Sequence, residues 1–337
     1  MDKVVIHFNS TLPHFIQIFA GLEYLREKGD IDTEYRLELS RYPVNILKVS
    51  YKGRNLFFDM ADNSEINAEC YEEADFYIKR MLLHSDFEKS NKLYPFGLNY
   101  LVFYENRFLK KAFLKQWKLL QYSIRFSRTV SGLLDVRGCI NNNSVHQMQN
   151  EPSGNKQIIF RTRLWDPERN SVEWKKEERE RLNNERIVLN RLLKEKYSND
   201  FLGGIEKSEL ALKKCPDLLL RKAEYHKKEF LTHLKNSGIG IVNQGLEKSI
   251  GWKFGEYVAH SMAVVSNPID KYKLFGPLTE GENYLKYQTT EDCIAAIDHL
   301  HRDDRLRLEM QKANKSYYDN YLHPGVKIAK IFSMLGF

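Results

Sequence analysis

Apolar residues recur along the first part of the chain with two different periods. Lys3 to Phe8 is a short, mostly apolar run, Asn9 to His14 is turn-rich, and Phe15, Ile18, Phe19, Leu22 and Leu25 then fall on one helical face. Gly29-Asp30 stops that helix. Strand, loop and helix in this order predict a Rossmann-like start. Pro43 to Met60 hold two β-rich runs, PVNILKVSY and NLFFDM, joined by Lys52-Gly53-Arg54, a composition that predicts a tight hairpin. ADFYIKRM and NYLVFY add further candidates, so the first domain reads as α/β with embellishments. Its end is expected near Gly154, because INNNSVHQMQNEPSGN is the longest polar stretch that contains breakers.

The second half alternates more regularly. Strands are predicted at Gln157 to Arg161, Phe201 to Ile205, Ile239 to Asn243 and Ala263 to Ser266. Between them lie helical patterns at Glu173 to Tyr197, at Lys222 to Leu234 and around Glu256. In the first of these, Leu182, Leu189, Leu192 and Leu193 form the expected buried stripe, and its charges read as a solvated face without chemistry. Strands separated by helices imply a parallel, doubly wound sheet, whose ligands bind beyond the carboxyl ends of the strands. That rule singles out the loops holding Arg161 to Arg163 and Asn243 to Gly251.

Composition narrows the picture only slightly. The chain has 337 residues, enough for two domains, and a formal charge of +7 that suits anionic small molecules, membranes or nucleic acid alike. Cys70, Cys139, Cys215 and Cys293 form no CxxC pair, so neither a zinc site nor a disulfide framework is indicated. The start lacks the pattern of a secretion signal, and no apolar run reaches the ~20 residues needed to cross a bilayer. A cytoplasmic location is expected.

The passage IVNQGLEKSIGWKFGEYVAHSMAVVSNP combines a strand, a glycine-bearing loop and a helix. Backbone N–H groups at a helix N-terminus are unpaired and sit at the positive end of the dipole, so a diphosphate can dock near Ser249 to Trp252. Gly251 permits close approach. Lys253 adds positive charge, and Glu256, one turn on, can accept hydrogen bonds from the paired hydroxyls of a ribose. The competing reading is that Gly255 and Ala259 serve helix packing while Glu256 is solvated. In IIFRTRLWDPERN, Arg161 and Arg163 lie two apart at a strand end, where both point to one side; the competing reading pairs either of them with Asp166 or Glu168.

The segment KSIGWKFGEYVAHSMAVVS resembles the signature EGFGxxxLEAMAxGxPVV of the group 1 glycosyltransferases, a superfamily of GT-B fold. Gly251, Glu256, Ala259 and Val264-Val265 fall in register. GENYLKYQTTEDCIAAIDHLHRDDRLRLEMQKA resembles the sequence that follows the signature in that family. The resemblance implies two Rossmann-like domains facing a central cleft, at 1–154 and 155–316, with a C-terminal helix at 317–337 crossing back to the first. It implies transfer of a sugar from a nucleoside diphosphate sugar to a glycan or lipid-linked glycan, as in bacterial surface polysaccharide synthesis. The nucleotide-sugar site it implies takes in Arg161, Arg163, Gln244, Gly245, Glu247, Lys248, Ser249, Ile250, Gly251, Trp252, Lys253 and Glu256. Arg163 and Lys253 would stabilise the leaving diphosphate. The chain departs from the signature where Lys248 takes the first glutamate position and Ala263 the proline, which leaves open whether the sugar is transferred with retention or inversion.

On the acceptor side, His14 is the leading candidate base, since its ordinary pKa lies near working pH, with Asp59 and Asp62 as alternatives. His14 beside Pro13 and Phe15 also fits a cap or packing role. No DxD pair follows a strand, and Asp303-Asp304 reads as a helix cap, so no metal or other cofactor is expected. Arg107 to Arg128 is a basic amphipathic stretch, read either as a domain helix with a solvated face or as a segment lying on an anionic membrane at its inner face. The rival functions are a nucleotide-sugar epimerase of the same fold, and a non-enzymatic nucleic-acid- or glycan-binding protein; no nucleic-acid-binding motif supports the former of these last two.

Overall fold

A computed structural model of the protein describes residues 2–8, 13–38, 41–104, 143–221, 224 and 227–337. They form two compact units, both α/β, the class the sequence predicts. The first comprises Met1–Met148, Asp270–Pro277 and Asp319–Phe337; the second comprises Gln149–Ile269 and Leu278–Tyr318.

The first unit is built on a six-stranded sheet. Its strands are β1 (Lys3–Phe8), β2 (Asp32–Leu37), β3 (Ile46–Tyr51), β4 (Arg54–Asp59), β5 (Phe76–Lys79) and β6 (Leu93–Pro95), in spatial order β2-β1-β3-β4-β5-β6. Helix α1 (Ile16–Lys28) connects the parallel pair β1 and β2, and Gly29 ends it in the left-handed conformation at φ 85°. Strand β3 then enters antiparallel to β1 and returns as β4. The expected hairpin turn is present: Lys52 at φ 48° and Gly53 at φ 75° are both left-handed, which matches the twist of the flanking strands. The short helices α2 (Ala68–Glu73) and α3 (His84–Phe87) precede β5 and β6. NYLVFY, by contrast, forms no strand among the described residues; Phe103 makes an isolated bridge with Ser144. The basic stretch 107–128 and Cys139 lie outside the described residues.

The second unit follows the predicted alternation. Strands β7 (Ile158–Thr162), β8 (Phe201–Ile205), β9 (Ile239–Val242), β10 (Ala263–Ser266) and β11 (Tyr284–Lys286) make an all-parallel sheet of order β11-β10-β9-β7-β8. The connecting helices are α4 (Glu173–Lys196), α5 (Glu209–Lys214), α6 (Lys227–Asn236) and α7 (Trp252–Ala259), followed by α8 (Thr290–Arg302) and α9 (Asp304–Tyr317). Leu182, Leu189 and Leu193 of α4 are buried as expected, whereas Leu192 is 39% exposed, a quarter turn beyond the covered stripe. Asp303 caps α9, accepting from the Leu306 N–H at 2.9 Å.

The chain ends back in the first unit, with α10 (Pro324–Met334). One face of the six-stranded sheet is covered by α1, and α1 in turn packs on α10. Ile328, Ile331 and Phe332 join Phe15, Ile18, Phe19 and Leu22 in a single core. Gly21 makes the contact possible, because a Cβ there would stand 2.4 Å from Ile328 Cγ1 and 2.5 Å from the Pro324 carbonyl oxygen. Across the same contact, Gln17 Nε2 donates to the Leu322 carbonyl at 2.9 Å. Among the described residues no helix is long and apolar enough to cross a membrane.

Candidate functional site

Strands β7 and β9 are neighbours in the second sheet, but the chain leaves β7 toward β8 on one side and continues from β9 toward β10 and β11 on the other. This is a topological switch point, where the loops part and open parallel sheets take their ligands. Arg161 and Thr162 end β7, and Asn243 follows β9. Buried polar atoms accumulate here without partners among the described residues: Arg161 Nε and Nη1, Thr162 Oγ1, Asn243 Nδ2 and the Tyr257 hydroxyl. An unpaired buried polar group costs about 1–3 kcal/mol, so a concentration of them points to a polar occupant.

Two of these side chains are held from behind. Arg161 donates through Nη2 to the Glu224 carbonyl and lies 5.1 Å from the Phe230 ring centre; burial pulls its pKa below the ordinary value. Tyr257 lies across the central strand at Gly240, where a Cβ would come within 2.4 Å of its ring. Burial raises the Tyr257 pKa and the charge of Glu256 adds to the rise, while Arg161 opposes it.

Helix α7 begins at Gly251, whose missing side chain lets the turn close on β9: a Cβ would stand 3.2 Å from the Asn243 carbonyl oxygen and 3.3 Å from Val242 Cγ1. Its first turn holds no acidic residue to offset the dipole. Lys253 Nζ sits 3.7 Å from the Phe230 ring centre and 2.9 Å from Glu256 Oε2. Phe230 therefore supports both Arg161 and Lys253, a cation–π arrangement that holds two cations close together. Neither Phe230 nor Tyr257 stands out in the sequence, since a lone aromatic in a helical pattern reads as core.

The preceding loop is turned toward α4. Glu178 accepts from the backbone N–H groups of Glu247 at 2.9 Å and Lys248 at 3.1 Å, while Lys175 pairs with the Glu247 carboxylate at 2.7 Å. Arg181 donates to Gln244 Oε1 at 3.2 Å, and the Gly245 N–H closes the loop on the Ser249 carbonyl at 2.9 Å. Glu247 and Lys248 adopt φ 58° and 57°, a conformation that costs non-glycine residues about 1–2 kcal/mol each. Ser249 and Ile250 are buried beneath it. The face of α4 read as merely solvated thus does the holding here.

Arg161 and Arg163 do not share a side. Strand geometry ends at Thr162, and Arg163 is exposed while Arg161 packs inward. Pairing with Asp166 is not observed either: Asp166 caps the following turn through the Glu168 N–H at 3.1 Å. The loop after β7 is clamped instead by α4. Asn183 exchanges two hydrogen bonds with the Trp165 backbone, at 2.9 and 2.7 Å, and Arg186 donates to the Arg163 carbonyl at 2.6 Å beneath the Trp165 ring. Burial, reinforced by the Arg163 charge, pulls the Arg186 pKa down to about 9.

In the first unit, His14 Nε2 lies 4.0 Å from Asp62 Oδ2, and Arg80 also pairs with Asp62. Burial lowers the His14 pKa from 6.5, Asp62 raises it and Arg80 lowers it further. Asp59 is fully occupied: it accepts from the Tyr77 hydroxyl at 2.6 Å, Lys79 Nζ at 2.9 Å and the Ala61 N–H at 3.0 Å. Among the described residues no cluster of His, Cys, Asp and Glu is placed to hold a metal ion.

No protein-family model and no curated protein matches the chain. Solved structures to which it is similar include the C-terminal domain of a glycosyl transferase group 1 family protein (LpcC) from Francisella tularensis, at 13% identity over 52% of this chain and 95% of that one, with a TM-score of 0.36. A glycosyltransferase from Rickettsia africae ESF-5 is similar at 12% identity over 97% and 82%, with a TM-score of 0.42. UDP-GlcNAc 2-epimerase from Neisseria meningitidis, bound to UDP-GlcNAc, is similar at 13% identity over 99% of both chains, with a TM-score of 0.38.

Proposed function

We propose that the second unit binds a nucleoside diphosphate sugar at the switch point between β7 and β9, and that the chain transfers the sugar to a hydroxyl of a glycan or lipid-linked glycan. The observation that carries this reading is the set of buried polar atoms on Arg161, Thr162, Asn243 and Tyr257 that lack partners among the described residues, beside a helix N-terminus with no acidic first turn. Arg161 and Asn243 offer donors to diphosphate oxygens, as do the N–H groups that open α7. Lys253 adds charge, and the Glu256 carboxylate takes the ribose hydroxyls.

In the reaction, the acceptor oxygen forms a bond to the anomeric carbon as the bond from that carbon to the diphosphate oxygen breaks. The electron pair goes to the diphosphate, where Arg161, Lys253 and the helix N-terminus stabilise it. His14 is the proposed acceptor of the hydroxyl proton. Because fixed cations meet the leaving group, turnover is expected to be insensitive to chelators.

A thermal-shift screen with UDP, GDP and ADP tests the reading. At 100 times its Kd a ligand stabilises the folded state by about 2.7 kcal/mol, so one of the three should raise the melting temperature of the parent and not of Arg161→Ala or Glu256→Ala. If none of the three stabilises the parent, the reading fails. Product analysis with and without an acceptor separates transfer from epimerisation of the donor.

A further inference from the structure

The loop between β9 and α7 carries two consecutive left-handed residues, Glu247 and Lys248, whose N–H groups both donate to one carboxylate. Successive backbone N–H groups presented together by a tight turn form a concavity suited to a phosphate or carboxylate. Here the two oxygens of Glu178 occupy it, one on each N–H, at 2.9 and 3.1 Å. Glu178 is buried, and the surrounding contacts, Lys175 on Glu247 and Arg181 on Gln244, tie the same loop to the same helix.

We infer that Glu178 is a positioning residue of this site: its carboxylate fills the loop's own anion nest, fixes the backbone that leads into Gly251, and keeps a ligand phosphate out of the nest. The exclusion follows from charge. A phosphate approaching Glu247 and Lys248 meets a carboxylate already bonded to both donors, so the anion is directed one turn onward, to Gly251–Lys253. This second consequence rests on the nucleotide reading above; the first does not.

The experiment compares the parent with Glu178→Ala and Glu178→Gln. The amide of the Gln variant turns an NH2 group toward one of the two N–H donors, so its shape is kept and its fit is lost. Loss of two charge-assisted hydrogen bonds predicts affinity for the preferred nucleoside diphosphate that is about tenfold to hundredfold weaker in both variants. Added formate, which fits the vacated nest of the Ala variant, restores that affinity and raises its melting temperature, and does neither for the parent. Unchanged affinity in the Ala variant, or a loss that formate leaves untouched, overturns the positioning role. The melting temperature of Glu178→Ala in formate tests the nest without any nucleotide. A formate-dependent rise there, in a protein whose parent binds no nucleoside diphosphate, upholds the nest and sinks the nucleotide reading alone.

Discussion

Tyr257 places a hydroxyl in the interior of the second unit without a partner among the described residues, next to the equally unpaired edge of Arg161. If that hydroxyl serves a ligand, Tyr257→Phe separates stability from binding. The ligand-free protein should gain about 1 kcal/mol in chemical denaturation, because an unsatisfied group is removed, while nucleotide affinity falls. Equal losses of both would mark the hydroxyl as structural. His14 makes a second test at this scale. A base with a pKa lowered below 6.5 is already neutral at mildly acid pH, so the acid limb of the rate profile should lie below that value and should vanish in His14→Gln. Residue identity was only partly legible in advance. Lys253 and Glu256 follow from the glycine-to-helix pattern, but keeping Arg161 and Arg163 on one side requires extended strand as far as Arg163, and β7 ends at Thr162.

The elements of the second unit were readable because each carries a single period: short apolar strands alternate with amphipathic helices. Helix α4 shows where that reading stops. A polar face turned to a loop and one turned to water have the same composition, so Glu178, Asn183 and Arg186 look solvated until the loops they hold are in place. Strand β9 carries the matching prediction. A methyl group at Gly240 would press on the Tyr257 ring, so Gly240→Ala should destabilise the protein by about 1–3 kcal/mol, measured by denaturant unfolding. Adding Tyr257→Ala should recover part of that loss; strict additivity of the two changes would show that the ring does not sit there.

At the scale of the molecule, the first unit depends on residues far apart in the chain. Lys327 of α10 is buried against Phe96, its ammonium 4.0 Å from the ring centre and 2.6 Å from the Leu98 carbonyl, and burial holds its pKa well below 10.5. A lysine depressed in the folded state favours folding least where the unfolded chain would take up its proton. Stability from this source is therefore present above about pH 10.5 and is lost as pH falls toward the folded pKa. Lys327→Met should flatten that slope below about pH 10.5, and an unchanged slope in the variant would exclude Lys327 as its source. Removal of 319–337 should strip α10 from α1, and hydrogen exchange should then quicken across α1 and β1 while β7 and β9 stay protected.

The contact of α1 with α10 also sets an order of events during synthesis. Gln17 meets Leu322 across 305 positions of chain, so the apolar face of α1 leaves the ribosome long before its cover has been made. The second unit needs nothing beyond Tyr318. Until α10 is made, the face of α1 that carries Gln17, Gly21 and Tyr24 has no α10 to pack against. Between the making of α1 and the making of α10, that face is one a chaperone can hold.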